Sequence, residues 1–328
     1  MPAGKERGME YIRIPHVKGK VSRIIFGTAM KPFNEGKSDD ALLDAVLAMG
    51  VTVLDTARVY GGAEEALGGW LERTGCRDRV VILSKCGHFD LETGRRRVCS
   101  EAMRADLQTS LEALHTDFID IYLLHRDNPE VPVGPLVETF NEMHAEGRIG
   151  AFGGSNWTHE RIEEANEYAY AHNLIPFEVS SPNFGLADQI EDPWGQGCVT
   201  IAGPRAKEAR VWYRRNGMPV IAYSSLAHGF FSGRLKSTNP EDAPNILDAP
   251  AVKGYACPEN FERLRRCEQL AGRKKTTVPQ LAMAWMFHQR LNLCAVVSTS
   301  RPDRMKRNID ALALPLTDEE CRWMNLEE

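Results

Sequence analysis

Eight short apolar runs, separated by amphipathic stretches, constrain the fold of this chain more than any other feature. They fall at residues 23–27, 51–55, 80–84, 119–124, 149–155, 177–180, 219–223 and 294–298. Runs of this kind show little alternation, so they read as strands buried on both faces, as in a parallel sheet covered by helices. The intervening segments 39–49, 63–73, 98–114, 133–146 and 158–172 carry helical periodicity, with caps where helices should begin and end. Ser38 and Asp39 open the first, Gly50 closes it, and Thr158 with Glu160 opens another. Strand and helix alternate from residue 22 to 313 with no low-complexity break. The expected class is therefore α/β, a closed TIM (β/α)8 barrel forming a single domain over residues 1–328.

Four additions to a minimal barrel are expected. The stretch YIRIPHVKGKVSRI alternates around Lys18-Gly19-Lys20 like an N-terminal β-hairpin that could plug one end. The last residues, from Leu314 on, read as an extra C-terminal helix capped by Thr317. Long connections at 182–204 and 227–258 would lie at the carboxyl ends of the strands, where binding loops belong.

Composition removes several classes. The net charge is only −5, with acids and bases interspersed, so no basic face calls for nucleic acid. No apolar stretch is long enough to span a membrane, and the opening MPAGKERGME carries no apolar signal core. The eight cysteines are scattered without paired spacing, which favours reduced thiols and a cytoplasmic location. Cys-x-x-Cys and His-x-x-x-His are absent, so no metal is expected.

The chemistry resides in four polar residues at or just past strand ends: Asp55 and Tyr60 in VTVLDTARVYGG, Lys85 in RVVILSKCG, and His125 in DFIDIYLLHRD. In a closed parallel barrel, such positions share one mouth. Taken singly, Asp55, Lys85 and His125 each have an ordinary reading: a turn or helix cap, a loop charge, a satisfied buried histidine. Together, an acid, a phenol, an ammonium and an imidazole make a proton-donating device. A tyrosine holds its proton at neutral pH, and it becomes a better donor where a lysine stabilises its phenolate.

These residues and spacings resemble the aldo-keto reductase family along nearly the whole chain. The resemblance implies that Tyr60 is the acid in carbonyl reduction, with Lys85 beside it. Asp55 would orient the lysine, and His125 would hold the substrate oxygen. It also implies a nicotinamide dinucleotide bound in extended form, consistent with the lack of G-x-G-x-x-G after an early strand. NADP is expected ahead of NAD. The site residues implied for it begin with Gly27, Thr28 and Asp55 on the first two strands. Ser155 and Asn156 in GGSNW would meet the carboxamide, with Glu178 where relatives usually have Gln. Tyr223 would stack on nicotinamide, while Ser224, Leu226 and Gly229 would line the diphosphate path and Arg234 would reach a phosphate. Ser298, Thr299, Ser300, Arg304 and Asn308 resemble the adenosine-phosphate site, although Ser298 replaces a common lysine. Arg301 and Arg307 offer further positive charge there.

The substrate pocket is expected to use Ala29, Met30, Trp157 and Trp194, with His88 and Phe89 nearby. Its openness points to a sugar, cyclitol or other polar carbonyl, or the corresponding alcohol. Two rivals stand beside an oxidoreductase: a cofactor-sensing regulatory subunit with little turnover, and a Schiff-base lyase using Lys85. Oligomeric state is not readable from the sequence.

Overall fold

The computed structural model describes residues 8–195 and 197–327. Eight parallel strands close into a barrel: β3 (Ile24–Gly27), β4 (Val53–Asp55), β5 (Val81–Cys86), β6 (Ile119–Leu124), β7 (Ile149–Ser155), β8 (Val179–Ser181), β9 (Val220–Ala222) and β10 (Leu293–Val297). Each pairs with its sequence neighbour, and β10 closes the circle onto β3 through Ala295↔Ile24 and its neighbours. Ahead of them, β1 (Tyr11–Ile12) and β2 (Val21–Ser22) form an antiparallel pair, the expected hairpin.

Helices of the outer ring follow the strands: α1 (Asp40–Ala48), α2 (Ala63–Thr74), α3 (Ser100–Ala113), α4 (Val133–Ala145), α5 (His159–Ala171) and α6 (Lys207–Asn216). After β9 come α7 (Ala243–Ile246), α8 (Ala249–Tyr255), α9 (Pro258–Lys274) and α10 (Val278–Phe287); α11 (Pro302–Asp310) and α12 (Asp318–Met324) follow β10. Asp39 caps α1 by accepting from the Leu42 amide, Thr158 caps α5, and Thr317 with Glu320 forms a reciprocal capping box on α12.

Two apolar layers hold the barrel. Ile25, Val53, Val81, Leu83, Ile121, Leu123, Ala151, Val179, Ile221 and Cys294 fill its interior, and Ile12, Ile14 and Val21 of the hairpin join them at the amino end. The outward faces pack against the helices through residues such as Leu67, Trp70, Phe140, Phe152 and Trp285. The interior is thus solid, and in barrels of this kind active sites sit at the carboxyl mouth.

The segment 182–204 is irregular, tied by isolated bridges from Asn183 to Thr200 and Tyr223. The segment 227–258, expected as one long loop, instead folds into short helical pieces including α7 and α8. Asp248 caps α8 and Pro250 sits in its first turn, a start signal the sequence carried. Among the described residues no helix is long and apolar enough to cross a membrane.

Candidate active site

Register determines which side chains reach the mouth. Asp55 is the last residue of β4, Lys85 is the penultimate residue of β5, and His125 follows β6 directly. Tyr60 lies in the turn leading to α2, where its amide donates to the Ala57 carbonyl. The four meet. Lys85 Nζ donates to Asp55 Oδ1 at 2.5 Å, to the Thr56 carbonyl at 2.9 Å and to Tyr60 Oη at 3.4 Å. The Tyr60 and His125 rings meet edge to face, with centroids 5.6 Å apart. Ser84 and Arg58 both bond the fully buried Glu64 carboxylate, which ties α2 and the Tyr60 turn to β5.

Burial dominates the electrostatics. It pushes the Asp55 carboxyl above its usual value while Lys85 pulls it down; for Lys85, burial is outweighed by Asp55 and Tyr60, so the ammonium is held more firmly than usual. The 2.5 Å contact is then an ammonium–carboxylate pair at neutral pH. The Tyr60 phenol is raised by burial and by Asp55, despite the opposing Lys85 and Arg126 charges. This differs from the sequence expectation that Lys85 would make Tyr60 more acidic: desolvation outweighs the lysine. The phenol keeps its proton, and the lysine is placed to steady the phenolate left after donation. His125 is held well below the usual imidazole value by burial, then by Lys85, His88 and Arg126, so it is neutral. Its Nδ1 is buried without a partner, as an unprotonated nitrogen can be. The proton then belongs on Nε2, which retains some exposure to the mouth.

The other expected site residues divide. Thr28 donates to the Asp55 carbonyl, and Ser298 donates to the Gly27 carbonyl. A Cβ at Gly27 would lie 2.8 Å from Ser298 Oγ and Val296, so this glycine lets β3 and β10 approach. Asn156, in left-handed backbone, donates to the His125 carbonyl and Ser155 Oγ and accepts from Tyr223 Oη (2.6 Å) and the Val199 amide. Its four hydrogen-bonding positions are all occupied. Trp194 stands at the mouth, its ring 6.0 Å from Tyr223 and 5.2 Å from His228. Ala29 and Met30 are exposed and half-buried at the rim.

Two expectations are corrected. Glu178 precedes β8 and sits at the amino end of the barrel, where both carboxylate oxygens meet His16 Nδ1 of the hairpin loop at 2.9 and 3.0 Å. It closes the bottom and does not face the mouth. Trp157 is fully buried: the reversed backbone at Asn156 turns its indole beneath Gly154 and against Phe177, and Nε1 donates to the Arg126 carbonyl. It is core, not pocket wall.

Sequence reasoning missed Arg126. It follows His125, is 8% exposed, and its guanidinium lies 5.9 Å from the Phe89 ring centroid. Read alone, an arginine beside Asp127 passes for a loop charge, but that aspartate pairs with Arg161 instead.

A run of strained backbone follows β9. Ser224, Ala227, His228 and Gly229 all have positive φ, between 50° and 97°. Three of these residues are not glycine, each at a cost of order 1 kcal/mol or more, and the Ala227 and Gly229 amides donate within the turn, to the Ser224 and Leu226 carbonyls. Arg234 leans over Gly229 and, like Arg304, has no carboxylate partner among the described residues. Arg301 and Arg307 both pair with Asp303. Ser298, Thr299 and Ser300 lead into α11, with Asn308 buried on it. A cavity of about 590 Å³ lined by Ser232, Lys236 and Arg307 adjoins this segment. These features fit a phosphorylated dinucleotide. A second cavity, about 920 Å³, opens at the amino end around His16, His144 and Arg148, away from the four mouth residues.

The aldo/keto reductase family model matches residues 23–325. The chain belongs to this family. Relatives include aldo-keto reductase str7 of Strobilurus tenacellus, 28% identical over 87% of this chain and 80% of that protein. Aldo-keto reductase yakc [NADP(+)] of Schizosaccharomyces pombe is 28% identical over 86% and 80%. A probable aldo-keto reductase 1 of Glycine max is 25% identical over 86% and 77%. Membership in the aldo/keto reductases supports an oxidoreductase that uses a nicotinamide cofactor, and it does not favour the regulatory-subunit or lyase rivals.

Proposed function

We propose that this aldo/keto reductase is an NADP-linked enzyme, acting as one domain, that reduces a polar aldehyde or ketone to its alcohol or runs the reverse reaction. The observation that carries this reading is the chain Asp55–Lys85–Tyr60 beside a neutral His125 at the barrel mouth. When bound, the reduced nicotinamide supplies hydride. Tyr60 Oη delivers the proton to the carbonyl oxygen, and its phenolate is then stabilised by the Lys85 ammonium, itself oriented by Asp55 and the Thr56 carbonyl. His125, as a neutral Nε2–H donor, holds the same oxygen and fixes its approach. Tyr223 would offer its ring to the nicotinamide, with Ser155 and Asn156 beside it. Engaging the carboxamide exchanges the Asn156–Tyr223 hydrogen bond for one to the cofactor. Ser224, Leu226, Gly229 and Arg234 would hold the diphosphate. Arg304 and the amino end of α11 would take the phosphate on the adenosine side, which favours NADP.

The test is turnover of a carbonyl panel with NADPH and NADH side by side. Tyr60→Phe should lower reduction by about 10²–10⁴-fold, the range of a lost general acid, while NADPH binding, read by fluorescence, persists. Full activity in the variant rules out Tyr60 as donor, and NADH outpacing NADPH rules out the cofactor assignment.

A further inference from the structure

The mouth holds one charge that the proposed chemistry does not use. Asp55 and Lys85 neutralise each other, His125 is neutral, and burial holds His88 below its ordinary value. Arg126 remains, 8% exposed and without a carboxylate partner among the described residues. Among the described residues its guanidinium makes one hydrogen bond, from Nη1 to the Cys198 sulfur at 3.5 Å. Nε is buried, and neither it nor Nη2 has a partner among the described residues. An orphaned buried cation costs several kcal/mol, and a buried donor without an acceptor calls for an explanation. Of the two vacant donors, Nε is shut in and Nη2 is the one left accessible to an oxyanion, which a guanidinium binds through charge-assisted hydrogen bonds.

A chain of ring contacts links the Arg126 guanidinium to the residues of the mouth. Phe89, under the guanidinium, packs on His88 at 4.1 Å; His88 meets His125 at 4.8 Å, and His125 meets Tyr60. The guanidinium charge also bears on Tyr60, His125 and Tyr223. We infer that Arg126 is a substrate-specificity residue whose guanidinium, through the accessible Nη2, binds a carboxylate on the carbonyl substrate, making this protein selective for aldehyde or keto acids. One unpaired positive charge matches a carboxylate monoanion better than a phosphate dianion, which would leave net negative charge beside the phenol. This deepens the reductase reading and rests on it for the reacting carbonyl.

The experiment compares 4-carboxybenzaldehyde, its neutral methyl ester and 4-formylphenyl phosphate as substrates with NADPH. The carboxylate should exceed the ester in kcat/KM by about tenfold or more, the scale of one charge-assisted pair, and Arg126→Gln should bring that ratio near one. A ratio near one in the unaltered protein, a ratio that survives the substitution, or a faster phosphate overturns the inference. Should the variant fail to fold, benzoate must inhibit reduction of the ester competitively in the unaltered protein; absent or non-competitive inhibition overturns it. Calorimetry of benzoate with NADP⁺-loaded protein separates the two readings. Benzoate binding that Arg126→Gln abolishes, with no aldehyde reduced, sinks the reductase and leaves the anion site standing. Turnover without carboxylate preference does the reverse.

Discussion

Tyr60 shows at the residue scale how burial and charge divide the work of one proton donor. A phenol raised by desolvation keeps its proton across the neutral range, and an imidazole lowered by desolvation stays uncharged there. The signs fix the pH profile. Reduction needs protonated Tyr60, so its rate should stay level from about pH 6 to 9 and fall only above the ordinary tyrosine value near 10. Alcohol oxidation needs the phenolate and should climb through the same range. A steady-state profile of both directions checks this; a reduction rate falling between pH 6 and 8 would mean that Tyr60 titrates there, and one rising there that His125 does. The convergence of Asp55, Tyr60, Lys85 and His125 was legible because strand ends restrict the places of such residues. Arg126 was not, because its significance lies in a missing partner, and a sequence displays neighbours rather than vacancies. Glu178 was misread for want of a single-residue boundary: β8 begins at Val179, so the glutamate belongs to the floor.

At the scale of elements, α2 carries two adjacent glycines with opposite physical meanings. A Cβ on Gly68 would lie 2.1 Å from the Ala113 carbonyl oxygen and 2.8 Å from the Leu114 carbonyl carbon, rigid backbone at the end of α3. A Cβ on Gly69 would meet only Arg73 Nη1, the far end of a flexible side chain. Alanine improves the interior of a helix by about 0.5–1 kcal/mol over glycine. Gly69→Ala should therefore raise the denaturation midpoint, while Gly68→Ala should destabilise by about 1–3 kcal/mol as overpacking outweighs propensity. Denaturant unfolding of the pair tests this, and equal effects would show that close contact between α2 and α3 is not what Gly68 provides. The sequence pattern reveals helices through periodicity and caps, and it located most of those between the strands. It misjudged 227–258, where α7 and α8 are too short for periodicity to register and prolines suggested a loop.

Over the whole molecule, stability and chemistry occupy opposite ends of one barrel. The hairpin sends Ile12, Ile14 and Val21 into the barrel interior and seals the floor with the His16–Glu178 contact, whereas Lys85, Tyr60 and His125 open at the other end. The barrel was readable because eight apolar runs with intervening helices leave few other closed arrangements; the floor contact was not, because His16 and Glu178 are 162 residues apart and no periodicity links them. Separation of this kind has a measurable consequence. Ile14 is 3% exposed, so Ile14→Ala removes buried methyl groups from the plug and should cost about 2–5 kcal/mol of stability. The folded fraction should nonetheless retain kcat and KM within about twofold, since distant sites contribute independently. Glu178→Gln should likewise leave the KM for NADPH in that range. A large rise in that KM would return Glu178 to the cofactor site and place the hairpin loop in contact with catalysis, whereas unchanged kinetics on a weakened scaffold would show a floor that supports the mouth without tuning it.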